Sequence, residues 1–127
     1  MGVKTRKLGN ISDSLVQWQS VVVADGSTGL TAVSGRGYFI NTTSATQTVT
    51  LPASPVIGDT ISIVDYASTF ATNKVTVDPG SNKIEGSTTD ASLLTNDQTH
   101  TFVFTDSTQG WKIVNQDTAA GIQPAYN

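Results

Sequence analysis

The stretch TQTVTLPASPVIGDTISIVDY, residues 46–66, contains two short runs of alternating apolar and polar residues. Val49 and Leu51 are the apolar members of the first run, and Ile61 and Ile63 are those of the second. A period of two is typical of β-strands that bury one face. The pattern therefore predicts two strands with these four side chains directed inward.

The segment between the two runs contains Pro52 and Pro55. Proline has no backbone N–H and cannot donate a ladder hydrogen bond, so neither residue suits the interior of a sheet. We expect the chain to leave one sheet here and to enter a sheet again at Thr60.

Similar short segments, rich in Val, Ile, Thr and aromatic residues, recur at roughly eight to twelve residues with turn-forming residues between them. This spacing favours an all-β fold, an antiparallel β-sandwich or jelly-roll-like domain. Alternation also directs Val75 and Val77 inward. The further candidate strands are GYFIN (37–41), NKVTVD (73–78), KIEG (83–86), Ser92 to Leu94, THTFVFTD (99–106) and GWKIVN (110–115).

The regular pattern divides the chain into three parts. Residues 1–35 are predicted to form an extended N-terminal arm with one strand, which serves anchoring and assembly. Residues 36–116 form the antiparallel β domain. Residues 117–127 contain Gly121 and Pro124 and little to bury, which indicates an extended C-terminal tail.

Charge and composition argue against several classes of protein. Charged residues make up 13% of the 127 residues and the net charge is -3, whereas nucleic-acid binding needs a broad basic face. No run of about eighteen apolar residues predicts a membrane span. The chain has no cysteine, so thiolate chemistry and disulfides are excluded. We expect neither nucleic acid nor membrane as a partner.

No set of catalytic residues can be identified from the sequence. His100 is the only histidine and lies in a strand pattern, and no nucleophile or carboxylate is placed beside it by spacing. A carboxylate pair for glycoside hydrolysis is an alternative that spacing alone leaves open. We predict that the protein is not an enzyme and that its acids satisfy turn backbones. These acids are Asp59, Asp65, Asp78, Glu85, Asp90, Asp97 and Asp106.

The sequence evidence for a metal site or a phosphate site is weak as well. DPGSN (78–82) and TDSTQG (105–110) offer oxygen ligands for calcium but lack the charge density of a dedicated loop. GRG (35–37) lacks the following helix of a phosphate-binding loop and is interpreted as a tight turn into a strand. We expect no cofactor and no metal.

Two groups of residues are candidates for contacts with partners. Lys4, Arg6 and Lys7 form the only basic cluster and, with Trp18, are predicted to serve assembly or anchoring. Four other aromatics could form a subunit interface or stack on sugar rings, and burial in the core is the alternative. These four are Tyr38, Tyr66, Trp111 and Tyr126.

The run GRGYFINTTSATQTVTLPASPVIGDTISIVDYASTFATNKVTV, together with TQGWKIVN, resembles a tail-fibre-like β domain of structural proteins in tailed bacteriophages, especially marine phages and cyanophages. The opening VKTRKLGNISDSLVQWQSVVVADGST is similar to the start of such proteins. The resemblance therefore covers nearly the whole chain.

The resemblance implies a non-enzymatic virion component, assembled in the host cytoplasm as a homotrimer. Its partners would be copies of itself and other virion proteins, either in the tail fibre or baseplate or as a decoration of the capsid. A domain that binds host surface glycans in the adsorption apparatus is the alternative.

Overall fold

The computed structural model describes residues 16–114, in which all regular structure is β-strand. No helix long and apolar enough to cross a membrane occurs in this range. The strands are β1 (Gln17–Trp18), β2 (Val22–Val23), β3 (Leu30–Thr31), β4 (Arg36–Asn41), β5 (Gln47–Thr50), β6 (Thr60–Asp65), β7 (Val75–Asp78), β8 (Ala91–Leu93), β9 (Thr99–Asp106) and β10 (Gly110–Ile113).

The strands form two sheets whose inner faces share one core. The six-stranded sheet has the order β10-β9-β6-β4-β1, with β2 also paired to β4, and the four-stranded sheet has the order β3-β5-β7-β8. The predicted inward residues all lie in the core. They are Val49, Leu51, Ile61, Ile63, Val75 and Val77.

The chain alternates between the two sheets from β2 to β7, so that equivalent strands stack in parallel. In the six-stranded sheet Gln17 is in register with Arg36, and Arg36 with Ile61. In the four-stranded sheet Leu30 is in register with Val49, and Val49 with Val77. This arrangement is a short β-solenoid, closed by antiparallel strands β8, β9 and β10.

The all-β class is confirmed, but the prediction of an antiparallel sandwich or jelly-roll is wrong in strand direction. Five of the eight strand pairs are parallel. The reason is that every loop between β2 and β7 carries the chain to the other sheet, so sequential strands in this part of the chain do not pair. Short strands with turn residues between them have the same spacing in a meander and in a solenoid.

The individual strand predictions differ in outcome. The crossover after Leu51 is confirmed, because β5 and β6 belong to different sheets and β6 begins at Thr60. The prediction of one strand before Gly35 is wrong, since β1, β2 and β3 all precede it. Segment 83–86 is not a strand and makes isolated bridges through Ile84. The predictions for residues 1–15 and 115–127 lie outside the described residues.

Candidate assembly surface

Four of the predicted acids, Asp59, Asp65, Asp78 and Asp106, accept hydrogen bonds from turn or loop backbones, as predicted, whereas Asp90 and Asp97 do not within the described residues. Asp65 is buried and accepts hydrogen bonds from the backbone N–H groups of Thr69, Phe70 and Asp97. Asp25, exposed in the loop after β2, accepts from the N–H groups of Thr28 at 2.7 Å and Ser27 at 2.9 Å. These bonds hold the pKa of the Asp25 carboxyl at about 2.

The two loops considered for calcium use their carboxylates in the same way. Asp78 accepts a hydrogen bond from the N–H of Gly80, and Asp106 accepts from those of Gln109 and Thr108. The latter bonds lower the pKa of Asp106. Between residues 16 and 114 no group of three His, Asp or Glu side chains is placed to hold a metal ion.

His100 lies on β9 opposite Ile63 and shares the strand face of the buried Phe102. Burial lowers the pKa of its imidazole. Its Nδ1 atom has no hydrogen-bond partner among the described residues. The imidazole is therefore held neutral at the edge of the core, with no carboxylate oriented toward it in this part of the chain.

The predicted aromatic set does not form one surface. Tyr38 and Trp111 are both buried, and the Tyr38 hydroxyl accepts a hydrogen bond from the N–H of Val33. Trp111 packs edge-on against Phe104, with ring centroids 5.4 Å apart. Tyr66 is 55% exposed. For Tyr38 and Trp111 the core alternative is therefore correct and sugar stacking is excluded. Tyr126 and the basic cluster lie outside the described residues.

Trp18 is the one residue of the predicted anchoring group that the structure describes. It lies on β1, is 48% exposed and stacks on Phe39 of β4 at a centroid distance of 4.8 Å. Its indole covers Gly37, the residue beside it in the parallel ladder. GRG (35–37) thus forms a turn and the start of β4, as predicted.

One edge of the six-stranded sheet, at β10, is covered by residues 83–87. The carbonyl of Lys83 accepts a hydrogen bond from the N–H of Trp111 at 2.7 Å, and the N–H of Glu85 donates to the carbonyl of Trp111 at 2.9 Å. The Glu85 carboxylate forms an ion pair with Lys112 and accepts from the N–H of Ile113. Both contacts lower the pKa of Glu85. We call residues 83–87 the edge clasp.

The opposite edges of both sheets are formed by β1, β2 and β3, which we call the N-terminal edge. The N–H of Gln17 donates to the residue before β4, the N–H of Ala24 donates to β4, and the N–H of Ala32 donates to β5, all at 2.7–2.9 Å. The backbone N–H and C=O groups of successive residues alternate in direction along a strand. The N–H and C=O groups of the neighbouring residues Trp18, Val23 and Thr31 therefore point away from the sheets. No described strand pairs with this side.

The N-terminal edge carries no charged side chain in residues 16–24 or 30–33. Trp18, Val21, Val23 and Val33 are all exposed there. Exposed sheet edges are ordinarily protected by lysine, proline, bulges or covering loops. The described part of this edge has neither lysine nor proline, which makes it suited to pairing with a further strand.

Sequence reasoning missed the edge clasp and the Trp18–Gly37–Phe39 packing. Segment 83–86 contains Ile84 but too few alternating residues to separate a strand from a covering loop. Gly37 within a strand pattern was a usable signal, because strand glycines often mark a close approach by another group.

Comparisons with known proteins add little to this geometry. No family model matches the chain, and no curated protein matches it. Seven chains of solved structures do match. One, described as the structure of a chaperone-substrate complex, is 19% identical, with a TM-score of 0.44. The match covers 74% of this chain but only 17% of that chain.

Proposed function

We propose that the protein is a non-enzymatic structural component of a tailed-phage virion, assembled as a homotrimer and attached through its N-terminal end. The resemblance of its sequence to tail-fibre-like β domains supplies the phage context. The observation that carries an assembly role is the contrast between the two ends of the solenoid. The edge clasp covers the β10 edge of the six-stranded sheet, whereas the N-terminal edge is left unpaired in both sheets among the described residues.

The position of the N-terminal edge supports anchoring at this end. Residue 16 directly precedes β1, so residues 1–15, with Lys4, Arg6 and Lys7, join the domain beside the unpaired edge. A partner strand would gain main-chain hydrogen bonds from Trp18, Val23 and Thr31. An acidic partner surface would be complementary to the basic cluster. The opposite end of the domain would then be displayed outward.

Immunogold electron microscopy tests the placement in a virion. Antibody raised against residues 37–114 is applied to purified particles of the phage that encodes the chain, before and after disruption. Gold on tail or fibres indicates an adsorption component, and gold on the capsid indicates a decoration protein. Absence of label from both intact and disrupted particles, with the protein also missing from denaturing gels of them, would contradict the proposal.

The glycan-binding alternative receives less support from the described aromatics. It requires two aromatic rings on one exposed face, but Tyr38 and Trp111 lie in the core. Within residues 16–114, stacking of a sugar would have to use Tyr66 or the Trp18–Phe39 pair. A glycan array probed with the full chain and with Trp18→Ala tests the second of these, provided that the two proteins melt at similar temperatures.

A further inference from the structure

We infer that copies of this chain contact one another through the outer face of the six-stranded sheet. This inference rests on the proposed function, because it names the surface that would hold the oligomer together. We call this surface the valine–aromatic face. Its apolar members are Trp18, Val23, Phe39, Val64 and Val103.

The two sheets differ in what they present to solvent. The outer face of the four-stranded sheet, which we call the threonine face, consists mainly of hydroxyl-bearing residues in register across the strands. Such a surface is well hydrated and gains little from burial. The threonine face comprises Thr31, Thr48, Thr50, Thr76 and Ser92, with Asp78 at its margin.

The valine–aromatic face instead has apolar side chains in adjacent strands, beside hydroxyl-bearing ones. The latter are Thr60, Ser62, Thr99 and Thr101. Phe39 of β4 is in register with Val64 of β6, and Val64 is in register with Thr99 of β9. Trp18 stacks on Phe39 and extends this apolar row toward the N-terminal edge. Removing apolar side-chain surface from water is favourable roughly in proportion to the area buried. The cluster is therefore a more favourable contact than any part of the threonine face.

Two of the hydroxyls on the valine–aromatic face cost little to bury. The hydroxyls of Ser62 and Thr101 hydrogen-bond to each other at 2.9 Å, so both have a partner before any contact with a neighbour forms. Among the described residues, the only charged one at an outer position of these strands is Lys112, and Glu85 pairs with it. Identical copies can meet through such a face without like-charge repulsion. A second copy is therefore the occupant we propose.

The size of the face is compatible with such a contact. Five strand positions at about 4.8 Å spacing and strands about 20 Å long give a surface on the order of 500 Å². A standard interface buries about 800 Å² per partner. The face supplies more than half of that area before the protruding Trp18 and flanking loops are counted.

Sedimentation velocity of the full chain over a wide range of concentrations tests this inference. Val64→Lys places a charge in the centre of the valine–aromatic face, and Thr76→Lys places the same charge at the matched position of the threonine face. Both residues are half-buried and lie on strands paired on both sides. Val64→Thr is a milder second variant that keeps the β-branched shape. Near-ultraviolet circular dichroism checks that each variant is folded.

We expect an oligomeric wild type, association weakened at least tenfold by Val64→Lys and less by Val64→Thr, and no change with Thr76→Lys. A monomeric wild type would overturn the inference. So would equal weakening of the oligomer by the folded Val64→Lys and Thr76→Lys variants, or no weakening by either of them. Failure of the proposed function is a separate result. An oligomer dependent on Val64 but absent from virions would contradict the placement while supporting the contact surface.

Discussion

The indole ring of Trp18 occupies the space in which a side chain at Gly37 would lie. A Cβ atom at position 37 would be 2.4 Å from Cε3 of Trp18 and 2.5 Å from its Cζ3. The absence of a side chain at Gly37 therefore allows Trp18 to lie flat on the sheet and to stack on Phe39. This relationship links β1 to the valine–aromatic face.

Gly37→Ala should displace the Trp18 ring from Phe39. Trp18 is half-exposed, so the ring can swing outward, and we expect a modest loss of stability, about 1 kcal/mol, with a red shift of tryptophan emission. Fluorescence spectra and thermal melts measure the two effects. Gly29→Ala is the control, because the atom nearest to a Cβ there would be 3.9 Å away. Equal spectra for Gly37→Ala and wild type would show that the ring does not rest on Gly37.

Gly110→Ala should disrupt the edge clasp. A Cβ atom there would lie 2.1 Å from the carbonyl oxygen of Lys83, which accepts the hydrogen bond of Trp111, and the φ of Gly110 is +73°. We expect a loss of about 3 to 5 kcal/mol in the free energy of unfolding, measured by urea denaturation.

Gly80→Ala is the control for Gly110→Ala, because it introduces backbone strain without a clash. Gly80 has a φ of +65°, but a Cβ atom at this position would have no neighbouring atom within 4 Å. The strain alone costs about 1 to 2 kcal/mol. If the two alanine variants lost the same stability, close packing of β10 against the clasp would contribute nothing.

The pH dependence of stability should include a contribution from Asp25. Its pKa is depressed from 3.8 to about 2 by hydrogen bonds from Thr28 and Ser27. The ionised carboxylate therefore stabilises the folded state above pH 3.8, and this contribution is lost as the pH falls toward about 2.

Melting temperatures of wild type and Asp25→Asn across this range test the contribution of Asp25. The difference between them should be constant above the ordinary carboxyl pKa and should shrink in acid. Asp90→Asn is the control, because the Asp90 carboxylate accepts no hydrogen bond within residues 16–114. A wild-type advantage that persisted unchanged to pH 2 would contradict an ionisation effect.

The sequence was sufficient to predict most of the strands after Gly35 and the six inward residues, because alternation is a local property. Val49 and Ile61 illustrate this: each is recognisable from its immediate neighbours and each is fully buried. The crossover before Thr60 was predictable for the same reason, since Pro52 and Pro55 act locally. Strand direction was not predictable, because it depends on whether a loop returns to the same sheet or crosses to the other.

The candidate surfaces were less predictable because they depend on which strands become neighbours. Phe39 and Val64 lie 25 positions apart in the chain, and their register follows from parallel pairing that the sequence pattern does not reveal. Trp111 had three interpretations, core, subunit interface and glycan contact, that only burial could separate. Trp18 was assigned to assembly as a residue of the predicted N-terminal arm, but its packing on Gly37 was not foreseen.

The direction of the backbone at the N-terminal edge predicts a small effect of proline at position 31 and a larger one at position 32. The N–H of Thr31 points away from the sheet, so Thr31→Pro should change the free energy of unfolding by less than about 1 kcal/mol. The N–H of Ala32 donates to the carbonyl of Thr50 at 2.8 Å, and Ala32→Pro should cost about 1 to 3 kcal/mol. Urea denaturation of the two variants provides the comparison.

Strong destabilisation by Thr31→Pro would mean that another strand already pairs with this edge in the isolated protein, which would remove the basis for attachment there. If Thr31→Pro is instead as stable as the wild type but absent from purified particles, the unpaired edge is required for incorporation.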